Sequence, residues 1–319
     1  MATMIGNTLR LRVAKIDEKS SNTAVATPTR YNAAMTTQPL IDVRSLAAQL
    51  GRGDCVVVDC RFTLTDPPAG RAAYARGHIP GARYAHLDDD LARHPNTGEG
   101  RHPLPAAAHF AATLGAWGIA ADTTVVAYDE GTGAIAARLW WLLRWLGHER
   151  CAVLDGGFAA WTAAGLPVEP KTPTWQPRRY EARRLGTPTA VITTSELARR
   201  QADGDLLVDV RAAPRYRGEQ EPIDPVAGHV PGARNRPFSA NVASEGRFRP
   251  PAELRAELTE LLGGRDPSRL IAMCGSGVTA CHLLLAMEHA QLRGARLYDG
   301  SWSEWIRDPA RPVKTGAEP

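Results

Sequence analysis

Cys274 lies in the segment RLIAMCGSGVTACHLLLAM, residues 269–287, at the mouth of a glycine-containing loop. If LIAM is a strand and a helix begins near Thr279, residues 275–280 form the turn between them. The backbone N–H groups of such a turn can converge on the sulfur, and together with a helix N-terminus they stabilise an anion. The sequence therefore predicts a nucleophilic Cys274 that is largely thiolate and could equally hold a persulfide. The alternative is a small buried apolar residue that ends a core strand.

The residues that follow Cys274 suit an anion-binding turn better than a packed core. The two glycines give the backbone the freedom that a tight turn needs, and the hydroxyls of Ser276 and Thr279 add hydrogen-bond donors. We therefore expect this loop to contact the substrate as well as the sulfur. The predicted substrate-binding residues of the loop are Gly275, Gly277, Val278, Thr279 and Ala280.

The chain repeats itself. GHIPGAR at 77–83 returns as GHVPGAR at 228–234, and the flanking segments recur in the same order. Each copy begins with an amphipathic helix, continues into a buried strand that ends in Asp-x-Arg, and closes on an Asp-Gly turn before a tryptophan-containing helix. The chain is therefore a tandem duplication.

Short apolar runs rich in valine and leucine alternate with helical patterns in each copy, which is typical of a parallel sheet covered on both faces. The predicted fold class is α/β, with two doubly wound parallel sheets in tandem. In such sheets ligands bind beyond the carboxyl ends of the strands, which is where Cys274 falls. The predicted division is an N-terminal extension without fixed structure at 1–37, one copy at 38–165, a linker at 166–190, a second copy at 191–311 and a tail at 312–319.

Composition excludes several classes of protein. The net charge of +4 comes from scattered basic residues, so nucleic acid is not an expected partner. Five cysteines without a C-x-x-C pair suit neither a disulfide framework nor a zinc site and indicate a reducing, cytoplasmic location. No apolar run approaches the roughly 18 residues of a membrane span. No phosphate loop, dinucleotide fingerprint or metal spacing is present, so no cofactor and no metal are expected.

The loop CGSGVTA, the two GH[IV]PGAR segments and the duplicated α/β pattern resemble the two-domain rhodanese superfamily of sulfurtransferases, over about residues 38–311. The loop is similar to that of the 3-mercaptopyruvate branch. Enzymes of the thiosulfate branch typically carry basic residues at the two positions after the cysteine, where this chain has Gly275 and Ser276.

The resemblance implies a persulfide mechanism. Cys274 would take a sulfur atom from 3-mercaptopyruvate, release pyruvate, and pass the sulfur to a thiol or cyanide acceptor, with thioredoxin as a candidate protein acceptor. Two alternatives stay open. One is a thiosulfate:cyanide sulfurtransferase, and the other is a non-enzymatic sulfur carrier that is loaded by another protein.

The resemblance also assigns roles outside the loop. The first copy has Asp129 at the position of Cys274 and is expected to be catalytically silent, since a carboxylate cannot carry a persulfide. Arg215 matches the arginine that binds the donor anion, as a guanidinium fork suits a carboxylate. Arg211, like its twin Arg61, is expected to be structural.

One departure weakens the donor assignment. Mercaptopyruvate enzymes usually carry a second arginine shortly before the second GH segment, and this chain has EPIDPVA there. Substitutes elsewhere in the second copy would be Arg234, Arg236, Arg247 and Arg249, which the sequence does not rank.

In the mercaptopyruvate branch a serine acts with a histidine and an aspartate from the first domain, and here Ser276, His102 and Asp88 correspond. The alternative for His102 is an ordinary loop histidine, and for Asp88 a solvated charge. His78 and His229 occur in both copies and are expected to be structural. A cysteine phosphatase is disfavoured because the arginine that its C-x5-R loop needs is replaced by Ala280.

Overall fold

A computed structural model describes residues 38–183 and 190–319. The expected N-terminal extension lies outside the described residues, as does the end of the linker at 184–189. The structure contains two five-stranded parallel sheets of the same topology. Their strand orders are β1-β5-β4-β2-β3 and β6-β10-β9-β7-β8, so the predicted tandem α/β fold is confirmed.

The first sheet and its helices use residues 40–163. The elements are β1 (Leu40–Ile41), α1 (Val43–Ala47), β2 (Cys55–Asp59), α2 (Pro67–Arg76), β3 (Arg83–Tyr84), α3 (Ala107–Ala116), β4 (Thr124–Tyr128), α4 (Ala136–Trp145), β5 (Cys151–Leu154) and α5 (Gly157–Ala163).

The second sheet repeats this order within residues 191–305. The elements are β6 (Val191–Ile192), α6 (Thr194–Ala202), β7 (Leu206–Asp209), α7 (Ala213–Tyr216), β8 (Arg234–Asn235), a 3-10 turn (Phe238–Asn241), α8 (Pro251–Leu262), a second 3-10 turn (Pro267–Arg269), β9 (Leu270–Met273), α9 (Ala280–His289), β10 (Arg296–Tyr298) and α10 (Ser301–Trp305).

Side-chain alternation along the strands separates the two faces of each sheet. In β9, Leu270 and Ala272 pack into an apolar cluster that extends across both domains, whereas Ile271 and Met273 pack into a cluster on the other face of the second sheet. Continuing the alternation puts Cys274 in the cluster shared by the domains. Because side chains alternate along the strand with a period of two, the Cys274 side chain lies on the face of the second sheet that packs against the first domain.

The helices α4 and α9 pack against each other between the sheets. Trp140 and Trp141 of α4 are buried there, as is Cys281 of α9. Close-packed apolar side chains of this kind contribute on the order of 1.5–3 kcal/mol each. The domains therefore share a substantial core.

The repeated motifs form the same local structure in both domains. Arg61 bonds Asp59 and Arg211 bonds Asp209, each through Nη2 at 2.6 Å, so the predicted structural role of both arginines is confirmed. The repeated histidines are also structural. His78 and His229 are fully buried, and Nδ1 of each lies 2.8 Å from the carbonyl oxygen of a tyrosine, which for His78 is that of Tyr74 and for His229 that of Tyr216.

Candidate active site

The second domain holds Cys274 at the end of β9 with its side chain buried, at 2% exposure. Three hydrogen bonds fix the start of its loop to the first turn of α10. The Cys274 N–H donates to Ser301 Oγ (3.1 Å), the Cys274 carbonyl accepts from Trp302 N (3.0 Å), and the Gly275 carbonyl accepts from Ser303 N (2.8 Å). The nucleophile predicted from sequence is thus held at the carboxyl end of its strand by a rigid backbone.

The loop after Cys274 keeps its amide groups free. In the described part of the chain, the backbone N–H groups of residues 275–280 donate to no protein acceptor. Gly277 has a φ of +77°, and a Cβ there would lie 2.4 Å from the carbonyl oxygen of Asp299, so only glycine fits. Since α9 begins at Ala280, these amides form the helix N-terminus beside the sulfur.

The predicted substrate-binding residues of the loop divide into two kinds. The side chains of Val278 and Ala280 are buried in the apolar cluster between the domains. These two residues can therefore bind a sulfur-donor substrate only through their backbone N–H groups. Gly275 and Gly277 likewise offer backbone alone. Thr279 is half-buried and retains a hydroxyl.

Ser276, His102 and Asp88 come together across the domain interface. His102 Nδ1 lies 2.8 Å from Ser276 Oγ, and His102 Nε2 lies 3.1 Å from Asp88 Oδ1. Burial lowers the pKa of His102, although Asp88 opposes this, and the hydrogen bond from His102 lowers the pKa of Asp88. Near neutral pH the histidine is therefore neutral, its Nε2–H donates to the Asp88 carboxylate, and its Nδ1 accepts the Ser276 hydroxyl proton.

Arg138 fixes this histidine, and sequence reasoning missed it. Its guanidinium is fully buried and donates to the His102 carbonyl (3.0 Å) and to Asp299 Oδ1 (3.0 Å). Asp299 Oδ2 accepts in turn from Leu104 N (3.0 Å). The loop that carries His102 is thus tied to Asp299 of the second domain, directly through Leu104 and indirectly through Arg138. An arginine within the apolar run AARLWWLL was the signal in the sequence.

Two arginines lie beside the catalytic loop. One is Arg215 of α7, and the other is Arg101, which reaches the loop from the first domain. A Cβ built on Gly275 would lie 3.4 Å from Arg101 Nη2 and 3.7 Å from Arg215 Nη1. Asp224 contacts both, through Oδ1 to Arg101 (2.7 Å) and Oδ2 to Arg215 (3.1 Å). Two guanidinium groups therefore converge on the residue next to the sulfur.

Arg101 was not among the substitutes named from sequence for the missing second arginine. Those four arginines lie elsewhere. Arg234 donates to the Leu261 carbonyl, Arg236 and Arg249 pair with Glu257, and Arg247 lies beside Gly156. The sequence did contain a signal. EGRHPLP at 99–105 returns as EGRFRPP at 245–251, so the motif of Arg101 belongs to the duplication.

Asp129 of the first domain takes the place of the cysteine and closes its own loop. Its Oδ1 accepts from the backbone N–H of Gly131 (3.1 Å) and Gly133 (2.9 Å), and its Oδ2 from Ile135 (2.9 Å) and Ala136 (3.2 Å). The carboxylate thus fills the anion site that the loop would otherwise present.

Other sites of chemistry are few in the described ranges. All five cysteines are free thiols. Among residues 38–183 and 190–319, no group of three or more His, Cys, Asp or Glu side chains is placed to hold a metal ion. No helix in the same ranges is long and apolar enough to span a bilayer.

Comparison with known proteins agrees with this architecture. The Rhodanese-like domain family matches residues 42–164 and again 193–308. A probable 3-mercaptopyruvate sulfurtransferase of Pseudomonas aeruginosa is 49% identical over 288 residues, which cover 88% of this chain and 100% of that protein. A putative thiosulfate sulfurtransferase, SseB, of Mycobacterium tuberculosis is 40% identical over 282 residues, with 88% and 98% covered.

Solved structures give the same result. The chain is similar to the 3-mercaptopyruvate sulfurtransferase from Leishmania major with a TM-score of 0.76 and 31% identity, over 86% of this chain and 76% of that one. It is also similar to SseA from Escherichia coli, with a TM-score of 0.69 and 30% identity, over 84% of this chain and 100% of that one.

Proposed function

The chain belongs to the rhodanese family of two-domain sulfurtransferases, and on that premise we propose that its donor is 3-mercaptopyruvate. The observation that carries the proposal is the hydrogen-bonded series of Ser276, His102 and Asp88 beside Cys274. When 3-mercaptopyruvate gives up its sulfur, the rest of the molecule leaves as an enolate that needs a proton. The Ser276–His102–Asp88 series can transfer that proton. Thiosulfate leaves as sulfite and needs none, so the series would have no use in its transfer.

The first half-reaction breaks the carbon–sulfur bond of the donor. The Cys274 thiolate attacks the donor sulfur, a sulfur–sulfur bond forms, and the electron pair of the broken bond goes to the pyruvate enolate. His102 takes the thiol proton of the donor through the Ser276 hydroxyl and returns it to the enolate, which leaves as pyruvate. Asp88 stabilises the imidazolium in between. Cys274 then carries the transferred sulfur as a persulfide.

The backbone amides of residues 275–280, which have no acceptor among the described residues, support this intermediate. A persulfide anion extends one atom beyond the thiolate, and backbone N–H groups stabilise negative charge at both positions without reorganisation. In the second half-reaction an acceptor thiolate attacks the outer sulfur, the sulfur–sulfur bond breaks, and Cys274 leaves as thiolate. The acceptor departs as its own persulfide, or as thiocyanate where the acceptor is cyanide.

Arg101 and Arg215 are the proposed binding groups for the donor carboxylate. Each presents a nitrogen close to Gly275, and a carboxylate gripped there places its sulfur-bearing end toward the adjacent Cys274. Arg101 thus supplies the second positive charge that the segment EPIDPVA lacks.

Two further parts of the proposal concern the acceptor and the location. Thioredoxin or a small-molecule thiol is the proposed physiological acceptor, since a thiolate can attack the outer sulfur of a persulfide and release Cys274. Five free thiols suit a reducing compartment, for which we propose the cytoplasm.

The test compares kcat/KM for 3-mercaptopyruvate and for thiosulfate on the wild type and on Cys274→Ser. We expect a clear preference for 3-mercaptopyruvate and a loss of at least about 10³-fold in the variant, because a serine hydroxyl cannot carry the sulfur. A preference for thiosulfate would move the assignment to the second candidate, which the 40% identical relative of that name supports. No turnover with either donor would favour a carrier that is loaded by a protein.

A further inference from the structure

Asp224 is a buried carboxylate that joins the two arginines of the site. Its side chain is 3% exposed, and it belongs to the segment that replaces the usual second arginine. Oδ1 accepts from Arg101 Nη1 at 2.7 Å and Oδ2 from Arg215 Nη2 at 3.1 Å. One carboxylate therefore holds a guanidinium from each domain.

The acidic groups occupy only one edge of each guanidinium. Arg215 uses Nε and Nη2 for Glu221, at 3.0 and 2.7 Å, and Nη2 again for Asp224. A Cβ on Gly275 would lie 3.4 Å from Arg101 Nη2 and 3.7 Å from both Nη1 and Nη2 of Arg215. The Nε of Arg101 is buried and has no partner among the described residues. Within residues 38–183 and 190–319, Arg215 Nη1 and Arg101 Nη2 have no acidic partner, so these two nitrogens can bind a donor.

We propose that Asp224 is a positioning residue that sets the distance and orientation between Arg101 and Arg215, so that both grip one anionic group of the donor beside Cys274. The proposal rests on the function proposed above and adds a determinant of donor affinity. Asp224 itself does not touch the donor. It acts through the two arginines that do.

Electrostatics and geometry both require such a group. Two guanidiniums that converge on one residue repel each other, and a buried carboxylate between them offsets this repulsion. A guanidinium binds a carboxylate well only when its fork is oriented, and a free arginine side chain must lose rotamer freedom to reach that orientation. Misplacement of a binding group by about 1 Å can cost on the order of 10²-fold.

The opposite role is that Asp224 competes with the donor for the arginines. In that case its removal would free positive charge and tighten donor binding. The two roles predict opposite signs, so one series of variants separates them.

The experiment measures kcat and KM for 3-mercaptopyruvate on Asp224→Asn, Asp224→Ala and Asp224→Glu. We expect KM to rise about tenfold or more in the first two while kcat changes less than about threefold, and Asp224→Glu to recover part of the loss. Glu219→Gln is the matched control. Glu219 lies five residues before Asp224 and pairs with Arg217 on the surface, so the KM of this variant should not change.

A titration with pyruvate makes the result independent of sulfur transfer. Calorimetry on the same proteins should show the Kd of pyruvate weakened about tenfold in Asp224→Asn and Asp224→Ala, even if the wild type turns over no donor. A KM and Kd that stay the same or fall would overturn the positioning role, as would a wild type that binds no pyruvate. Thermal unfolding of each variant identifies any that fail to fold, and Asp224→Glu then carries the test.

Discussion

The loops that follow β4 and β9 are the same structural element used in two ways. Both leave the central strand of a parallel sheet and lead into a buried helix. In the first domain the carboxylate of Asp129 accepts four amide hydrogens of its own loop. In the second, the amides of residues 275–280 have no protein acceptor within the described part of the chain. The loop is therefore an anion receptor in both domains, and one side chain decides whether the anion is built in or formed during the reaction.

The segments that reach across the interface differ in the same sense. EGRHPLP places His102 at the catalytic loop, whereas EGRFRPP places Phe248 in the corresponding position of the repeat. Phe248 packs against His282 with ring centroids 4.6 Å apart. The repeated segment therefore carries a hydrogen-bonding histidine in one copy and a packing phenylalanine in the other.

The largest expected effect comes from giving the second loop the side chain of the first. Cys274→Asp should abolish sulfur transfer, because a carboxylate cannot form a persulfide. It should nevertheless fold, since the amides of residues 275–280 can satisfy the carboxylate as they do in the first domain. Activity assays and thermal unfolding check both parts. A Tm below that of Cys274→Ala would show that the two loops are not equivalent anion receptors.

Removing the carboxylate from the first loop should destabilise the first domain without changing sulfur transfer by the second. Asp129→Ala leaves four amides without their acceptor, and we expect a loss of about 3 kcal/mol in the free energy of unfolding. Activity per folded molecule should stay near that of the wild type. Asp122→Ala is the control, because that carboxylate is 80% exposed. Urea denaturation measures the effect, and an unchanged midpoint would mean that the carboxylate does not hold the loop.

Much of the fold followed from local pattern. Valine- and leucine-rich runs predicted the long central strands β2, β4, β7 and β9, and the duplication predicted a second sheet of the same kind. The two-residue edge strands β1 and β6 carry too few residues for a periodic pattern, so only pairing with a neighbouring strand defines them.

The site was predictable where one segment carries it and less so where the domains meet. Cys274 and its loop follow from a strand, a turn and a helix in sequence. Arg101 and Arg138 act on residues more than one hundred positions away, and no local spacing indicates that an arginine will reach a loop of the other domain. Both are paired with acids across the interface, which only the packing of the two domains brings together.

The smallest expected effect is a shift in the pH dependence of activity. It tests whether His102 transfers a proton or only packs, as Phe248 does in the repeat. Burial holds the pKa of His102 below its ordinary value, and Asp88 partly offsets this. The reaction needs neutral His102, so activity with 3-mercaptopyruvate should be full near neutral pH and fall as pH drops through that lowered pKa. Asp88→Asn removes the group that raises the pKa, so the acid limb should move to lower pH while the plateau falls about tenfold. Rate profiles of kcat/KM measure the limb, with thiosulfate as the control donor whose profile should not shift. A limb that stays in place, or moves to higher pH, would show that the Asp88–His102 pair does not control the proton, and the histidine would then be packing like its counterpart in the repeat.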